Sequence, residues 1–403
     1  MRILIWAGYR FERWNGSSKE GLGGTETAIL EIAERLATYG HDVTVAGEVH
    51  STKQDPKDLS NFNSDRRGKI NGVTWLATED FEIRIQYKDW DYYDVVIGVN
   101  YLHFLNYCED VGIDPKHKWF WMHNTDYEPY YKHEPLENTS EIFDKIQLIV
   151  TPSPWAGYRI MDDIIAPVAN ENGGWKGSVQ SITNGINAED FFYPTKYKDP
   201  NKFIWSSAVD RNLTHLLDNW HKIKEIMPDA TLDVYYPKYS NPHNWEDQTW
   251  FNYEGVVDKM NALYDDGVRD MGSVSKEELY AAMAKASYWM YLTHYEETFC
   301  ITALEMQMSE VLCITSDQAA LRTTVKSGII IPTTDHDTMF NEAIKTLHNL
   351  QEHPDLKAIV LKDGKEEAKE KTWDIAASAW HDALMNAEEY KSIKNEGSSK
   401  KKV

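Results

Sequence analysis

Apolar residues fall at Ile29, Ile32, Ala33 and Leu36, the i, i+3, i+4, i+7 spacing of one helix face. Gly23-Gly24 and Thr25 stand ahead of them and Gly40 behind. This stripe predicts an amphipathic helix opened by a glycine pair and stopped by a glycine. It lies between two β-rich runs, Ile3 to Trp6 and Val43 to Ala46, so the chain to Ala46 reads as a βαβ unit. Further runs at Asp94 to Val99, Lys118 to Met122, Ile146 to Thr151 and Val179 to Thr183 follow at helix-length intervals. That rhythm predicts a parallel sheet with helices on both faces.

A second cycle begins after Asn184-Gly185, where the polar, turn-rich stretch Ala188 to Pro200 reads as a linker. Strands are expected at Phe203 to Trp205, Ala230 to Tyr235, Tyr288 to Leu292, Val311 to Thr315 and Gly328 to Ile331. Helices are expected around Leu213 to Ile226, Lys276 to Ala286 and Phe299 to Ser309. The expected domains are residues 1–189 and 190–372, followed by a helix over 373–390 packing back toward the first domain. A frayed, lysine-rich tail over 391–403 ends the chain. Tyr236 to Glu254, with Pro237, Tyr239, Pro242, Trp245, Trp250 and Tyr253, reads as a loop long enough to invite a functional role.

Composition narrows the function. The 403 residues suit two domains with a core each, and 42% hydrophobic with 26% charged residues excludes wholesale disorder. The net charge of −22 repels phosphate backbones and anionic lipid, which argues against nucleic acid or a polybasic membrane patch. Cys108, Cys300 and Cys313 have no paired spacing, so neither a disulfide framework nor a cysteine zinc site is expected. No apolar run approaches membrane-spanning length, and Met1-Arg2 leads straight into a strand, so a soluble cytoplasmic protein is expected.

In open parallel sheets ligands bind beyond the carboxyl ends of the strands, and two facing domains make a cleft. The loop Gly21-Leu22-Gly23-Gly24 is suited to presenting backbone N–H groups to an anion, or to serving as a plain turn. Glu297 and Glu305 have seven residues between them in Glu297-Thr298-Phe299-Cys300-Ile301-Thr302-Ala303-Leu304-Glu305, with Glu305 among apolar helix positions. A carboxylate there is costly unless bonded. One reading gives Glu305 a ligand diol and turns the N–H groups of Phe299 to Ile301 toward a phosphate. The other has Glu305 in solvent and Glu297 favoured merely by the helix start. Trp119, Trp121, Tyr127, Tyr130 and Tyr131 cluster around His123, either as a sugar-packing platform or as core.

Four segments in order resemble the retaining glycosyltransferases of family 4, which have the GT-B fold. They are Gly23 to Glu26 with its helix ending Tyr39 to Val45, Thr183 to Asn187 with Phe191, Glu297 to Glu305, and the continuation through Met306, Val311 and Thr315. The resemblance implies an α/β protein of two Rossmann-like domains with parallel sheets facing across a cleft. It implies transfer of a sugar from a UDP- or GDP-sugar to a glycan or other hydroxyl acceptor, with no cofactor and no metal. It assigns Glu305 to the ribose, Glu297 to the transferred sugar, Arg211 to the pyrophosphate and His123 to the donor sugar. Gly23, Gly24, Phe299, Cys300 and Ile301 complete the donor site. The chain departs from the family at Ser206, where a second cation is usual, at Thr298 and Cys300, where glycines are common, and in the long aromatic loop. Two Asp-x-Asp spellings, Asp89-Trp90-Asp91 and Asp335-His336-Asp337, are read as structural, the second as a helix cap. Competing readings are a sugar-nucleotide epimerase or phosphorylase, and a catalytically weak carbohydrate-binding or partner subunit of the same fold.

Overall fold

The computed structural model describes residues 1–8, 13–18, 21–52, 68–87, 92–125, 139–162, 175–237, 252–332 and 335–390. Contacts divide the chain into two compact units. The first holds residues 1–18, 25–183 and 373–403, and the second holds 19–24 and 184–372. The predicted Asp89-Trp90-Asp91 motif, Tyr127, Tyr130, Tyr131, most of the aromatic loop and the lysine-rich tail lie outside the described residues.

The first unit is built on a parallel sheet of β1 (Arg2–Trp6), β2 (Asp42–Gly47), β3 (Val73–Ala77), β4 (Val95–Val99), β5 (His117–Trp121), β6 (Leu148–Thr151) and β7 (Ser178–Ser181). The spatial order is β3-β2-β1-β4-β5-β6-β7, with Ile3 opposite Val43 and Val95. The glycine-led helix is Gly24–Thr38, and it buries Ala28, Ile29, Ile32, Ala33 and Leu36 as the stripe predicts. Gly40 (φ 85°) ends it in the left-handed region that only glycine adopts without strain. The chain's last described helix, Trp373–Met385, belongs to this unit, and its Trp380 ring packs 4.7 Å from Trp121 and 6.2 Å from Trp119. Trp119 and Trp121 are therefore core, not a sugar platform.

The second unit has β8 (Lys202–Ser206), β9 (Thr231–Tyr235), β10 (Val268–Gly272), β11 (Tyr288–Tyr291), β12 (Leu312–Ser316) and β13 (Ile329–Ile331), in the order β10-β9-β8-β11-β12-β13 and all parallel. Hairpins cannot join parallel strands, so every strand end on one side of each sheet opens into a loop before a crossover.

Several expected elements differ. The helix predicted over Leu213 to Ile226 is two, Leu213–Asp218 and Trp220–Ile226. Asn219 interrupts it, its side chain bonding the His215 carbonyl at 2.9 Å in place of the backbone ladder. The helix predicted from Phe299 starts at Ile301, because Cys300 turns into the left-handed region (φ 72°). Two strands had no expected counterpart. β10 is a charged edge with Arg269 and Asp270, and β3 is a short, wholly buried run after the Asn71-Gly72 turn. The helix Tyr253–Ala262 ends the stretch read as loop, capped by Asn252 on the Gly255 N–H.

Candidate functional site

Two loops, at the carboxyl ends of β8 and β11, assemble a charged site in the second unit. After β8 the chain turns so that Arg211 N–H bonds the Ala208 carbonyl at 3.1 Å. Asn212, left-handed at φ 79°, then reaches the Leu292 carbonyl at 2.6 Å and ties this turn to the end of β11. The Arg211 guanidinium pairs with Asp210 and lies 3.4 Å from the centre of the Tyr295 ring. Burial works against its charge, but Tyr295, Asp210 and Glu297 outweigh that and push its ionisation upward, so it stays a cation. Among the described residues Asp210 Oδ1 is buried without a protein partner.

Glu297 sits in the loop after β11. Its carbonyl takes the Ala320 N–H at 3.0 Å, which fixes the backbone, and its Oε1 takes the Tyr291 hydroxyl at 2.5 Å. Burial raises its ionisation range, Arg211 and the Tyr291 bond oppose this, and Asp210 adds to it; the net direction is upward. Cys300 is held well above the thiol range by burial and by Glu297, so it is not a nucleophile here.

Glu305 lies on the helix Ile301–Met308 with Ala303, Leu304 and Met306 buried around it. It is 8% exposed and its Oε1 accepts the Tyr280 hydroxyl at 2.9 Å. The solvent-facing alternative for Glu305 is thereby overturned: an apolar helix face has turned the carboxylate inward, and a phenol satisfies it. Arg211, Glu297 and Glu305 thus each have their own tyrosine: Tyr295, Tyr291 and Tyr280 respectively. Sequence reasoning missed all three, since Tyr280 precedes its partner by 25 positions and no local pattern links them.

At the start of the Ile301 helix the first N–H groups have no intrahelical acceptor. Phe299 is a core residue whose carbonyl takes the Thr324 hydroxyl at 2.5 Å, and the Ala303 N–H is taken by the Cys300 carbonyl at 3.2 Å, which leaves Ile301 and Thr302 as the N–H groups of the helix start. The loop ending at Gly24 groups with this unit, and a Cβ on Gly24 would meet Ile301 Cδ1 at 3.8 Å; Gly23 beside it is buried. Ser206, at the end of β8, is buried.

His123 belongs to the first unit, two residues past β5. Asn100, buried and left-handed at φ 60°, accepts the N–H groups of His123 at 2.6 Å and Asn124 at 3.1 Å through Oδ1. The His123 ring is buried against Trp121 at 4.7 Å. Asp335 caps the helix His336–Glu352 through the Thr338 N–H at 3.1 Å. Among the described residues no group of three or more His, Cys, Asp or Glu is placed to hold a metal ion, and no helix is long and apolar enough to cross a membrane.

No family model and no curated protein matches the chain. Solved structures do, over nearly its full length. Sucrose-phosphate synthase from Thermosynechococcus elongatus shares 14% identity with a TM-score of 0.65, covering 96% of this chain and 99% of that one. Anabaena HepE, solved with UDP and glucose, shares 12% at a TM-score of 0.64, over 96% and 100%. The α,α-trehalose 6-phosphate synthase from Burkholderia multivorans shares 11% at 0.65, over 97% and 98%. Identities this low speak for fold alone: the protein is α/β, with the two Rossmann-like units of the GT-B architecture.

Proposed function

We propose that the protein is a retaining glycosyltransferase of family 4 that moves a hexose from a nucleoside diphosphate sugar to a glycan or other hydroxyl acceptor, without a metal. The observation that carries this reading is Glu305, a carboxylate inside an apolar helix at the carboxyl end of a parallel sheet, bonded to a neutral phenol. Such a group suits vicinal hydroxyls, which it bonds with charge assistance and without needing a counter-charge. The ribose is that diol. The diphosphate then meets Arg211, the cation of the site, and the N–H groups of Ile301 and Thr302 at the helix start.

As the glycosidic bond to the donor breaks, negative charge grows on the leaving diphosphate. A guanidinium fixed against Tyr295 and aligned N–H donors stabilise that charge without reorganising. Glu297 accepts hydrogen bonds from the transferred sugar, His123 keeps the donor-sugar role that the family resemblance implies, and the leaving diphosphate accepts the acceptor's proton. A single cation, with Ser206 where a second is usual, sets a modest diphosphate affinity.

Thermal-shift titration with UDP, GDP and ADP, followed by transfer and donor hydrolysis with the matching sugars, tests the reading. UDP-glucose is the first donor to try, since HepE was solved with UDP and glucose. A stabilising nucleotide and product with the donor's anomeric configuration are expected. Absence of any nucleotide shift or turnover across the set would remove it.

A further inference from the structure

Tyr291 ends β11 with its ring wholly buried, stacked at 4.6 Å on Trp289 and 5.3 Å from Trp205. Rings packed this way have one place to put a hydroxyl, and a buried phenol must find partners. Here there are two. Tyr291 donates to Glu297 Oε1 at 2.5 Å, and the Ser207 hydroxyl lies 3.3 Å away, able to donate to the phenol oxygen. Ser207 is held in turn, since its carbonyl takes the Trp205 indole N–H at 3.0 Å. Arg211 does not perform this task, because its ion pair is with Asp210. Among the described residues, Glu297 Oε2 takes no hydrogen bond.

We propose that Tyr291 is a positioning residue: the Ser207–Tyr291 relay holds Glu297 Oε1 so that Oε2 is reserved for a ligand hydroxyl. This rests on the glycosyl-transfer reading for the identity of the ligand, not for the relay itself. The groups facing Glu297 are Asp210 and Arg211 from the loop after β8, Tyr291 from β11, Tyr295 within its own loop, and Cys300 at the start of the Ile301 helix. Of these only Tyr291 donates a hydrogen bond to the carboxylate.

The test is Tyr291→Phe, which keeps the ring between its tryptophans and removes only the hydroxyl. With UDP-glucose, or whichever sugar nucleotide the wild type turns over, kcat/KM should fall about 10-fold to 100-fold, the scale of a charge-assisted bond. Affinity for the free nucleoside diphosphate should change less than about 2-fold. The acid limb of the kcat/KM profile should move to higher pH, because the ionised carboxylate has lost a donor. Ser207→Ala should reproduce these changes at smaller size. An unchanged limb and rate, or nucleotide affinity falling in step with rate, would overturn the role. Carbon-detected NMR titration of Glu297 in the unliganded wild type and Tyr291→Phe proteins needs no substrate. An upward shift in the variant supports the relay even where the wild type turns over no sugar nucleotide, and superimposable titrations reject it.

Discussion

Glu297 and Glu305 flank one helix start, yet their surroundings are opposed. Glu297 is in a loop, half-buried, coupled to the Arg211 cation and held by a phenol at 2.5 Å. Glu305 is in the helix, buried among apolar residues, and its hydrogen bond from Tyr280 is 2.9 Å long. The difference separates two tasks. On the proposed function, the carboxylate beside the guanidinium belongs to the part of the site where charge changes during reaction. On the same reading, one set among apolar helix residues and bonded by a phenol is suited to recognising neutral hydroxyls that stay the same. Substitutions should therefore split into losses of rate on the Arg211–Glu297 side and losses of affinity on the Glu305 side.

The largest effect is expected at the cation. With Arg211 in its proposed place on the leaving diphosphate, Arg211→Ala removes a preorganised donor and should cost on the order of 3 kcal/mol, about 10² to 10³ in rate. Steady-state transfer assays read this directly, and near wild-type turnover would place the pyrophosphate elsewhere. Next comes the contrast itself. Glu305→Ala should weaken nucleoside diphosphate binding by about 10-fold to 150-fold, the range of a charge-assisted hydrogen bond, measured by calorimetry. Glu297→Ala should leave that binding largely intact and lower transfer. Equal effects of both variants on both measurements would erase the division of labour.

A smaller effect appears in stability. Burial holds the folded-state ionisation of Glu297 above its ordinary value. The stability tied to its protonated form is thus complete below the unfolded range and lost as pH rises through the folded value. At neutral pH the ionised group is a cost, so Glu297→Gln should unfold at a higher temperature than wild type near pH 7, with the gap closing toward about pH 4. A gap that widens in acid would reverse the sign. At the helix start, Cys300 adopts φ 72° with a side chain that fits that region poorly. Cys300→Gly should be more stable than Cys300→Ala by about 1 kcal/mol in denaturant titration, since only the alanine keeps the strain.

How far these features were legible follows from the range of the interactions behind them. The βαβ rhythm, the glycine-led helix and the two glutamates rest on spacings within a helix turn or a strand, and the sequence carries them openly. β10 was hidden because its edge position lets Arg269 and Asp270 into a strand that periodicity would call polar. The split at Asn219 depends on a side chain competing with the backbone, which hydrophobic spacing does not register. The tyrosine partners depend on which strands lie side by side, as β8 and β11 do although 81 positions separate Ser207 from the start of β11 at Tyr288. Tyr291 and Tyr280 were visible as residues but not as clamps.

The smallest effect, none at all, is expected from removing divalent ions. Metal-dependent sugar transferases of the other common architecture hold their ion with an Asp-x-Asp at a strand end. Asp335 spends its side chain on the Thr338 N–H as a helix cap, 3.1 Å away, and begins a helix. In the proposed function the charge such an ion would neutralise falls to Arg211, which Tyr295 and Asp210 keep in place, and to the N–H groups that open the Ile301 helix. Transfer or donor hydrolysis measured after exhaustive chelation, then with magnesium or manganese restored, should differ by less than about 2-fold. The comparison gains from the same assay on Glu297→Ala and Glu305→Ala. An ion bridging the diphosphate would make chelation and Arg211→Ala look alike, so activity abolished by chelation and recovered with metal would shift the leaving-group role from the guanidinium to the ion.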